Sequence, residues 1–268
     1  MLRLENITFS YDKETEALKD VSLNIEKGKK TLFLGENGSG KSTLFLIMNG
    51  LLQAQKGNIY FEGEKIVYRK KDLENLRKKV GIIFQDPEIQ IFAPLVFQEV
   101  AYGPENLGYS KEKVEKNVNR AMKEINIENL KDRPCHHLSY GQKKRVSIAA
   151  ITVMEPDLLI LDEPTAWLDS KNTRRVSKIL KGFSEAGKTL IVSTHDTDFA
   201  YEFADYIYVL DKGRIVRQGN RDEVFEDFEF LRKLNLNIPN VLKIKSYLKY
   251  KQLDENDYYK FLEEKNLL

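Results

Sequence analysis

The stretch Thr31–Thr43, TLFLGENGSGKST, contains the pattern that decides the fold. Its start, Thr31–Leu34, is a short, mainly apolar run of the kind found in strands that are buried on both faces of a parallel sheet. Its continuation, residues 35–43, fits G-x-x-x-x-G-K-[ST] in full, and Leu44–Met48 after it has a helical pattern. The stretch therefore predicts a glycine-rich turn between a central strand and a helix.

A turn of this kind is suited to binding phosphate. Its backbone N–H groups can surround phosphate oxygens, and the helix presents its positive N-terminus to them. Lys41 is then expected to reach the terminal phosphates of a nucleotide, and Ser42 to bind magnesium. We expect phosphate contacts along the whole loop, from Gly35, Glu36, Asn37, Gly38, Ser39, Gly40, Lys41, Ser42 and Thr43. A turn that needs glycine only for its backbone conformation is the alternative.

Further short apolar runs indicate the rest of an α/β fold. Val80–Phe84, Leu158–Leu161 and Leu190–Val192 resemble central strands, and helical patterns lie between them. Apolar residues spaced mainly by two in the ranges 2–9 and 21–25 predict a small antiparallel sheet at the start of the chain.

The domain organisation predicted from these patterns has three parts. Residues 1–221 form one domain, and a helical subdomain of about residues 88–153 is inserted in it because that range has helix patterns but little strand pattern. Residues 222–268 form a short helical C-terminal appendage, with breaks at Pro239 and near Asp254.

Composition excludes several classes of function. Lys and Arg number 43 against 41 Asp and Glu, and the chain has no long basic block, so nucleic acid is not the expected partner. No apolar run approaches the roughly 20 residues that span a membrane, so we expect membrane contact only through another subunit. The N-terminus lacks the apolar core of a secretory signal. The single cysteine cannot form an internal disulfide, which fits a reducing compartment.

Two carboxylates follow the apolar run Leu158–Leu161. A buried parallel strand would deliver both to its carboxyl edge, beside the phosphates. Asp162 can hold magnesium there, and Glu163 can polarise an attacking water. A strand that merely ends at a charged turn is the alternative.

The pentapeptide Leu138–Gln142, Leu-Ser-Tyr-Gly-Gln, opens a basic helix about twenty residues before Glu163. It resembles Leu-Ser-Gly-Gly-Gln, the defining motif of the ATP-binding-cassette family, which implies a P-loop NTPase (RecA-like) core. In that family two cassettes face head to tail, so the resemblance implies that Ser139, Gly141 and Gln142 contact the ATP of a partner. Tyr140 replaces the first glycine, and we expect its side chain to point away from the phosphate. Ser139 as an ordinary helix N-cap is the alternative.

Four more residues match the family's motifs in order, and the resemblance covers residues 1 to about 220. It implies that Tyr11 stacks on adenine, that Gln85 senses magnesium and the attacking water, that Asp169 crosses a dimer interface, and that His195 lies near the γ-phosphate. Taken alone, Tyr11 could be an ordinary strand aromatic, and His195 a structural histidine.

The segments Phe84–Pro94 and Glu99–Pro104 resemble the ATPases of energy-coupling-factor importers. That resemblance implies ATP and Mg²⁺ as cofactors, a peripheral position on the cytoplasmic face of the membrane, and integral membrane coupling and substrate-binding subunits as partners. The cargo of such importers is cobalt, nickel or a vitamin. The apolar residues after Gln85 could receive a coupling helix or be ordinary core. The appendage resembles tails that help to pair two ATPases, as a homodimer or as a heterodimer with a related ATPase.

Two other functions remain as alternatives. One is a cassette protein that acts on DNA or the ribosome, although those relatives usually carry long coiled coils, zinc modules or two fused cassettes. The other is a regulatory subunit that binds nucleotide without turnover. The run Cys135-His136-His137 also suggests metal binding, but three adjacent residues do not readily converge on one ion.

Overall fold

The computed structural model of the chain describes residues 1–12, 15–251 and 260. The strands in this part are β1 (Leu2–Ser10), β2 (Glu16–Ile25), β3 (Lys30–Leu34), β4 (Lys56–Phe61), β5 (Glu64–Lys65), β6 (Val80–Ile83), β7 (Leu158–Leu161), β8 (Thr189–Ser193), β9 (Tyr206–Asp211) and β10 (Arg214–Gly219). The α-helices are α1 (Lys41–Met48), α2 (Lys70–Lys79), α3 (Val96–Asn106), α4 (Lys111–Glu124), α5 (Tyr140–Thr152), α6 (Ser170–Glu185), α7 (Thr197–Phe203), α8 (Arg221–Phe225), α9 (Phe228–Lys233) and α10 (Asn240–Lys251).

The central sheet has the strand order β10-β9-β3-β8-β7-β6 in the part of the chain that the structure describes. From β9 to β6 neighbouring strands are parallel, and β10 is an antiparallel edge strand. Because parallel strands point the same way, β3, β6, β7 and β8 all end at one edge of the sheet. The chain segments that follow these four ends form the site described below.

Both faces of the central sheet are covered. Leu32 and Leu34 face the core shared with helices α3 to α8, whereas Phe33 between them faces α1 and the antiparallel sheet. All three side chains are fully buried. The uninterrupted apolar pattern of β3 follows directly from this two-sided burial.

The antiparallel sheet has the order β2-β1-β4-β5 among the described residues. The predicted sheet from the first two strands is confirmed, and the register pairs Leu2 with Ile25 and Leu4 with Leu23. Strand β4 joins the other side of β1, although the sequence patterns above did not identify it or helix α2. The fold class is the predicted one, an α/β P-loop core with an antiparallel β part and helical parts.

Helices α3, α4 and α5 lie between β6 and β7 in the chain, within the range predicted for a helical insertion. Ser110 caps α4 by accepting a hydrogen bond from the Lys113 N–H, as its position before the helical pattern suggests. None of the described helices is long and apolar enough to cross a membrane.

The C-terminal part begins with α8, α9 and α10, and Pro239 lies between the last two as expected. It packs on the rest of the chain through buried apolar side chains of the main core, among them Val224, Phe225 and Leu231, and two asparagines add hydrogen bonds. Asn240 donates from its backbone and side chain to the Asp198 carboxylate, at 2.5 and 2.7 Å. Asn235 donates its side-chain N–H to Glu36 at 2.7 Å. The break predicted near Asp254 lies outside the described residues, and the domain boundaries stay predictions.

Candidate functional site

The loop between β3 and α1 has two positions at which the backbone requires glycine. Gly35 has φ +148°, and a Cβ atom there would lie 2.2 Å from the carbonyl oxygen of Leu210. Gly40 has φ +107°, and its Cβ would lie 2.7 Å from the Ala17 carbonyl. Both distances are far below contact distance, so the loop depends on glycine for its path as well as for its suitability to phosphate.

Lys41 is the cation of this loop. Its side chain is buried and donates to the backbone carbonyls of Gly35 at 2.7 Å and Glu36 at 2.9 Å. Burial lowers the pKa of Lys41, and the negative charges of Glu163 and Asp162 act in the opposite direction. The ammonium is therefore held inside the turn, facing the two carboxylates that follow β7.

Ser193, at the end of β8, links those two carboxylates. Its hydroxyl donates to Asp162 Oδ1 at 2.5 Å and accepts a hydrogen bond from the backbone N–H of Glu163 at 2.8 Å. Glu163 has φ +42°, a left-handed conformation that is uncommon outside glycine. The contact across the β7 and β8 ends therefore supports a strained residue at the centre of the site.

The Glu163 carboxylate is the most unusual group here. It is buried, and His195 Nδ1 lies 3.0 Å from its Oε2. Its Oε1 has no hydrogen-bond partner in the part of the chain that the structure describes. Buried carboxylate oxygens are rarely left in this state, so the atom is suited to a proton donor that comes from outside the protein, such as water.

A cleft of about 270 Å³ brings most of the predicted site residues together. It is lined by Tyr11, Ala17, Asn37, Gly38, Gly40, Lys41, Ser42, Thr43, Gln85, Asp162 and Glu163. The ring of Tyr11 is 65% exposed at the rim, and its hydroxyl lies 3.2 Å from that of Thr43. The cleft combines a phosphate loop with hydroxyl, amide and carboxylate oxygens, a set that magnesium prefers.

The other predicted residues do not line this cleft: Gly35, Glu36 and Ser39 belong to the same loop, His195 bonds Glu163, and four more lie elsewhere, namely Ser139, Gly141, Gln142 and Asp169. Ser139 is exposed at the start of α5, where its N–H donates to the Gln142 side chain at 2.8 Å. Gly141 packs so closely on Asn172 that a Cβ would lie 2.6 Å from it, and Asp169 caps α6 by accepting from the Asn172 N–H. Ser139, Gly141, Gln142 and Asp169 thus lie at the starts of α5 and α6, outside the lining of the cleft.

Sequence reasoning missed two residues of the site. Ser193 is one of them, because the adjacency of β7 and β8 that gives it a role is not readable from local patterns. Lys144 is the other: it lies in the basic helix that follows the pentapeptide, and its side chain is fully buried, which is unusual for a lysine. Burial lowers the pKa of Lys144 to about 8, against the opposite effect of Asp162, Asp86 and Glu163.

The run Cys135-His136-His137 forms a single 3-10 turn. Cys135 is buried, and burial together with the charge of Glu99 raises the pKa of its thiol to about 11, against a smaller effect of Lys143. Both histidines are exposed. Among the residues that the structure describes, no group of three or more His, Cys, Asp or Glu side chains could hold a metal ion.

The fold and the loop together define a nucleotide-binding cassette of the P-loop class. The family profile of ABC transporters matches residues 18–166, more than half of the chain. The chain belongs to the ABC transporter family and is an ATPase of that family.

Relatives and solved structures agree with this assignment. Over 241 residues the chain is 46% identical to the energy-coupling factor transporter ATP-binding protein EcfA of Methanocaldococcus jannaschii, a match that covers 90% of this chain and 86% of that protein. A 47% identical relative from Methanosarcina mazei is longer, so that the match covers 91% of this chain and 54% of the relative.

Two solved structures have the same fold. CbiO1 of Clostridium perfringens, described as part of the ABC transporter complex CbiONQ, is 43% identical with a TM-score of 0.78, covering 91% of this chain and 98% of that one. The ATP-binding cassette MJ0796 was solved as a dimer in a post-hydrolysis state with ADP and Pi. It is 31% identical with a TM-score of 0.74, and the match covers 82% of this chain and 99% of that one.

Proposed function

We propose that this chain hydrolyses ATP to power an importer of the energy-coupling-factor type, which takes up cobalt or nickel ions or a vitamin. The observation that carries the proposal is the arrangement around Glu163, whose unpartnered Oε1 is buried beside the phosphate loop. The relatives named as energy-coupling factor ATPases support the importer branch.

The roles of the residues follow from their positions. Lys41 neutralises charge on the terminal phosphates, and Glu163 orients the attacking water and accepts its proton. His195, bonded to Glu163, supports the transferring group. Ser42, Asp162 and Gln85 would hold Mg²⁺, which supplies further neutralisation of the phosphate charge. Tyr11, exposed at the rim, is available to stack on adenine.

We propose further that two such cassettes bind two ATP molecules between them. Four residues are outside the lining of their own chain's cleft, which fits contact with the nucleotide of a partner subunit: Ser139, Gly141, Gln142 and Asp169. Each chain has every motif, so a homodimer would have two complete sites, and a heterodimer with a related ATPase is equally compatible. The C-terminal appendage, residues 222–268, is proposed to help pair the subunits.

A groove between α2 and the helical insertion supports contact with a membrane subunit. It has a volume of about 520 Å³, and Phe92 and Tyr102 line it with their rings in edge-to-face contact at 4.6 Å. The buried carboxylate of Glu99 accepts hydrogen bonds from the N–H groups of Phe92 and Ala93, at 3.0 and 2.8 Å. These two hydrogen bonds fix the backbone at Phe92, whose ring is exposed. Ile89, three residues earlier in the chain, is 73% exposed.

The groove combines apolar residues with the charged Glu74, Arg77 and Lys78, a mixture that suits an amphipathic helix from an integral membrane coupling subunit. The chain would then lie peripherally on the cytoplasmic face of the membrane. The identity of the cargo depends on the substrate-binding subunit, and nucleic acid has no part in this function.

The test is to purify a tagged chain from detergent-solubilised membranes of the source cells and to identify the integral membrane proteins that accompany it. We expect a coupling subunit and a substrate-binding subunit, and we expect Phe92→Asp to lose both. Val216→Asp, which places the same charge at an exposed apolar position on β10, is the matched control and should retain them. If Phe92→Asp retained both subunits, the groove would not be the docking site. A DNA- or ribosome-bound chain without membrane subunits would contradict the importer assignment.

A further inference from the structure

Helix α5 begins in the signature pentapeptide and lies against the segment Phe84–Gln90, which we call the Gln85 loop. Four residues of the helix face this loop at spacings of three and four, the positions that share one side of an α-helix. They are Tyr140, Lys143, Lys144 and Ser147. One side of the signature helix therefore contacts the loop along its length.

The contacts along this line are specific. The Tyr140 hydroxyl donates to the Gln85 carbonyl at 3.3 Å, and the Lys144 ammonium donates to the same carbonyl and to that of Phe84 at 3.0 Å. Lys143 pairs with Glu88 at 2.5 Å. The backbone of the loop at Gln85 is therefore held by two side chains at once.

The far end of the Gln85 loop is closed in the same manner. Gln90 accepts the Phe84 N–H at 3.0 Å, so its side chain bridges the two ends of the loop. It also donates to the Ser147 carbonyl of α5 at 3.4 Å. Because both ends and the middle of the loop are bonded to the helix, the loop and the start of α5 are expected to move together.

Tyr140 also contacts a third segment. Its ring meets the ring of Trp167 edge to face, with centroids 5.8 Å apart. Trp167 follows Glu163 by four residues and precedes Asp169 by two, and it has φ +61°. A glycine at position 140, as in the usual family motif, could make neither the ring contact nor the hydroxyl contact.

We propose that Tyr140 and Lys144 are positioning residues that couple the chain's own ATP site to the signature segment that contacts the partner's ATP. Tyr140 does this through Gln85 and Trp167, and Lys144 does it by holding the two carbonyls that lead into the loop. This inference rests on the proposed function, because it assumes that the pentapeptide closes over a second nucleotide.

The physical reason for the coupling is the fully buried lysine. An ammonium without contact to water must keep its hydrogen-bond acceptors, and its acceptors here are the two carbonyls of the Gln85 loop. Nucleotide binding in the cleft, or a partner that binds exposed Ile89, could displace the loop. Such a displacement breaks the Lys144 hydrogen bonds unless α5 moves with the loop. The start of α5 is the signature segment, so the displacement reaches the partner's site.

The experiment compares the full-length wild type with Tyr140→Phe, which keeps the ring but loses the hydroxyl, and with Lys144→Met, which keeps the length but loses the donor. The matched control is Tyr68→Phe, because the Tyr68 hydroxyl also donates to a backbone carbonyl at 3.3 Å, that of Leu52, and neither residue lines the cleft. Phosphate release is measured against ATP concentration, which gives kcat, KM and the Hill coefficient.

We expect Tyr140→Phe to lower kcat by roughly three- to tenfold, the factor that one neutral hydrogen bond supplies, and Lys144→Met, which loses two hydrogen bonds from a charged donor, to lower it by at least about tenfold. The Hill coefficient should fall toward 1, while KM changes less than about twofold. Because both side chains bond the same carbonyl, the double variant should lose less than the product of the two factors. Tyr68→Phe should match the wild type. Wild-type kcat and Hill coefficient in both variants, or equal losses in Tyr68→Phe, would overturn the proposal.

Trp167 is the chain's single tryptophan, which provides a readout that does not require hydrolysis. We expect MgATP to change its fluorescence in the wild type and to change it less than half as much in Lys144→Met, which touches neither Trp167 nor the phosphate loop. An unaltered response in that variant would overturn the coupling route. Failure of the wild type to release phosphate would instead contradict the proposed function, and the fluorescence result would still decide the inference.

Discussion

Replacement of Ser193 by alanine tests how the site is built. The hydroxyl is fully buried and bonds both carboxylate residues after β7. Its loss leaves the N–H of Glu163 without a partner in the interior, which costs about 2 kcal/mol, and it frees one Asp162 oxygen, which borders the cleft and regains water at a cost of about 1 kcal/mol. We therefore expect Ser193→Ala to lower the free energy of unfolding by about 3 kcal/mol.

The same change should impair turnover. The Ser193 bond supports Glu163 in its left-handed conformation, and misplacement of a reacting group by about 1 Å costs up to about 100-fold in rate. We expect phosphate release to fall by about 10- to 100-fold in Ser193→Ala.

The assays are urea unfolding followed by circular dichroism, and steady-state phosphate release. Ser147→Ala is the matched control, because its buried hydroxyl donates to the Lys144 carbonyl of its own helix, at 2.8 Å, and so joins no second element. We expect it to change the free energy of unfolding by less than about 1 kcal/mol. If Ser193→Ala lost no more stability than this control and kept wild-type turnover, the supporting role of Ser193 would be refuted.

Three further outcomes are expected. Gly35→Ala should weaken ATP binding by at least about tenfold in a nucleotide titration, because its Cβ would strike a backbone carbonyl, whereas Gly182→Ala, in open space on α6, should bind ATP normally. The Cys135 thiol should react with a thiol reagent at pH 8 at least about 100-fold more slowly in the native state than in urea, since its pKa of about 11 leaves little thiolate; equal rates would contradict its burial. Burial raises the pKa of Asp205, but hydrogen bonds from Lys30 outweigh this effect and keep the pKa below its ordinary value. The ionised Asp205 therefore stabilises the fold above about pH 4, and this stabilisation is lost as the pH falls further. Lys30→Met should thus cost up to about 1 kcal/mol in urea unfolding at pH 7 and progressively less below pH 4, and a constant difference would refute this linkage.

The parts of the fold that could be predicted from sequence are those with local patterns. Strand β3 and the phosphate loop have fixed spacing and a two-sided apolar run, so residues 31–43 alone predicted a strand, a turn and a helix. Strand β4 was not predicted, because Lys56–Phe61 is half exposed. Its place in the antiparallel sheet depends on pairing with β1, about fifty residues earlier.

The site could be predicted as a set of residues but not as a set of contacts. Asp162 and Glu163 were identified because they follow an apolar strand, whereas their bonds to Ser193 depend on the strand order, which local patterns do not contain. Lys144 was missed because charged residues are ordinarily exposed. The hydrogen bond between Asn235 and Glu36 joins residues 199 positions apart, so no local sequence pattern predicts it.

The central claim is that the chain hydrolyses ATP with Glu163 as the base. The most direct measurement is phosphate release at saturating MgATP by the wild type and by Glu163→Gln, with the oligomeric state of each determined in the same samples. We predict turnover by the wild type, a decrease of at least about 100-fold in the variant, and an ATP-dependent dimer that persists in the variant. Turnover by Glu163→Gln within threefold of the wild type would contradict the claim.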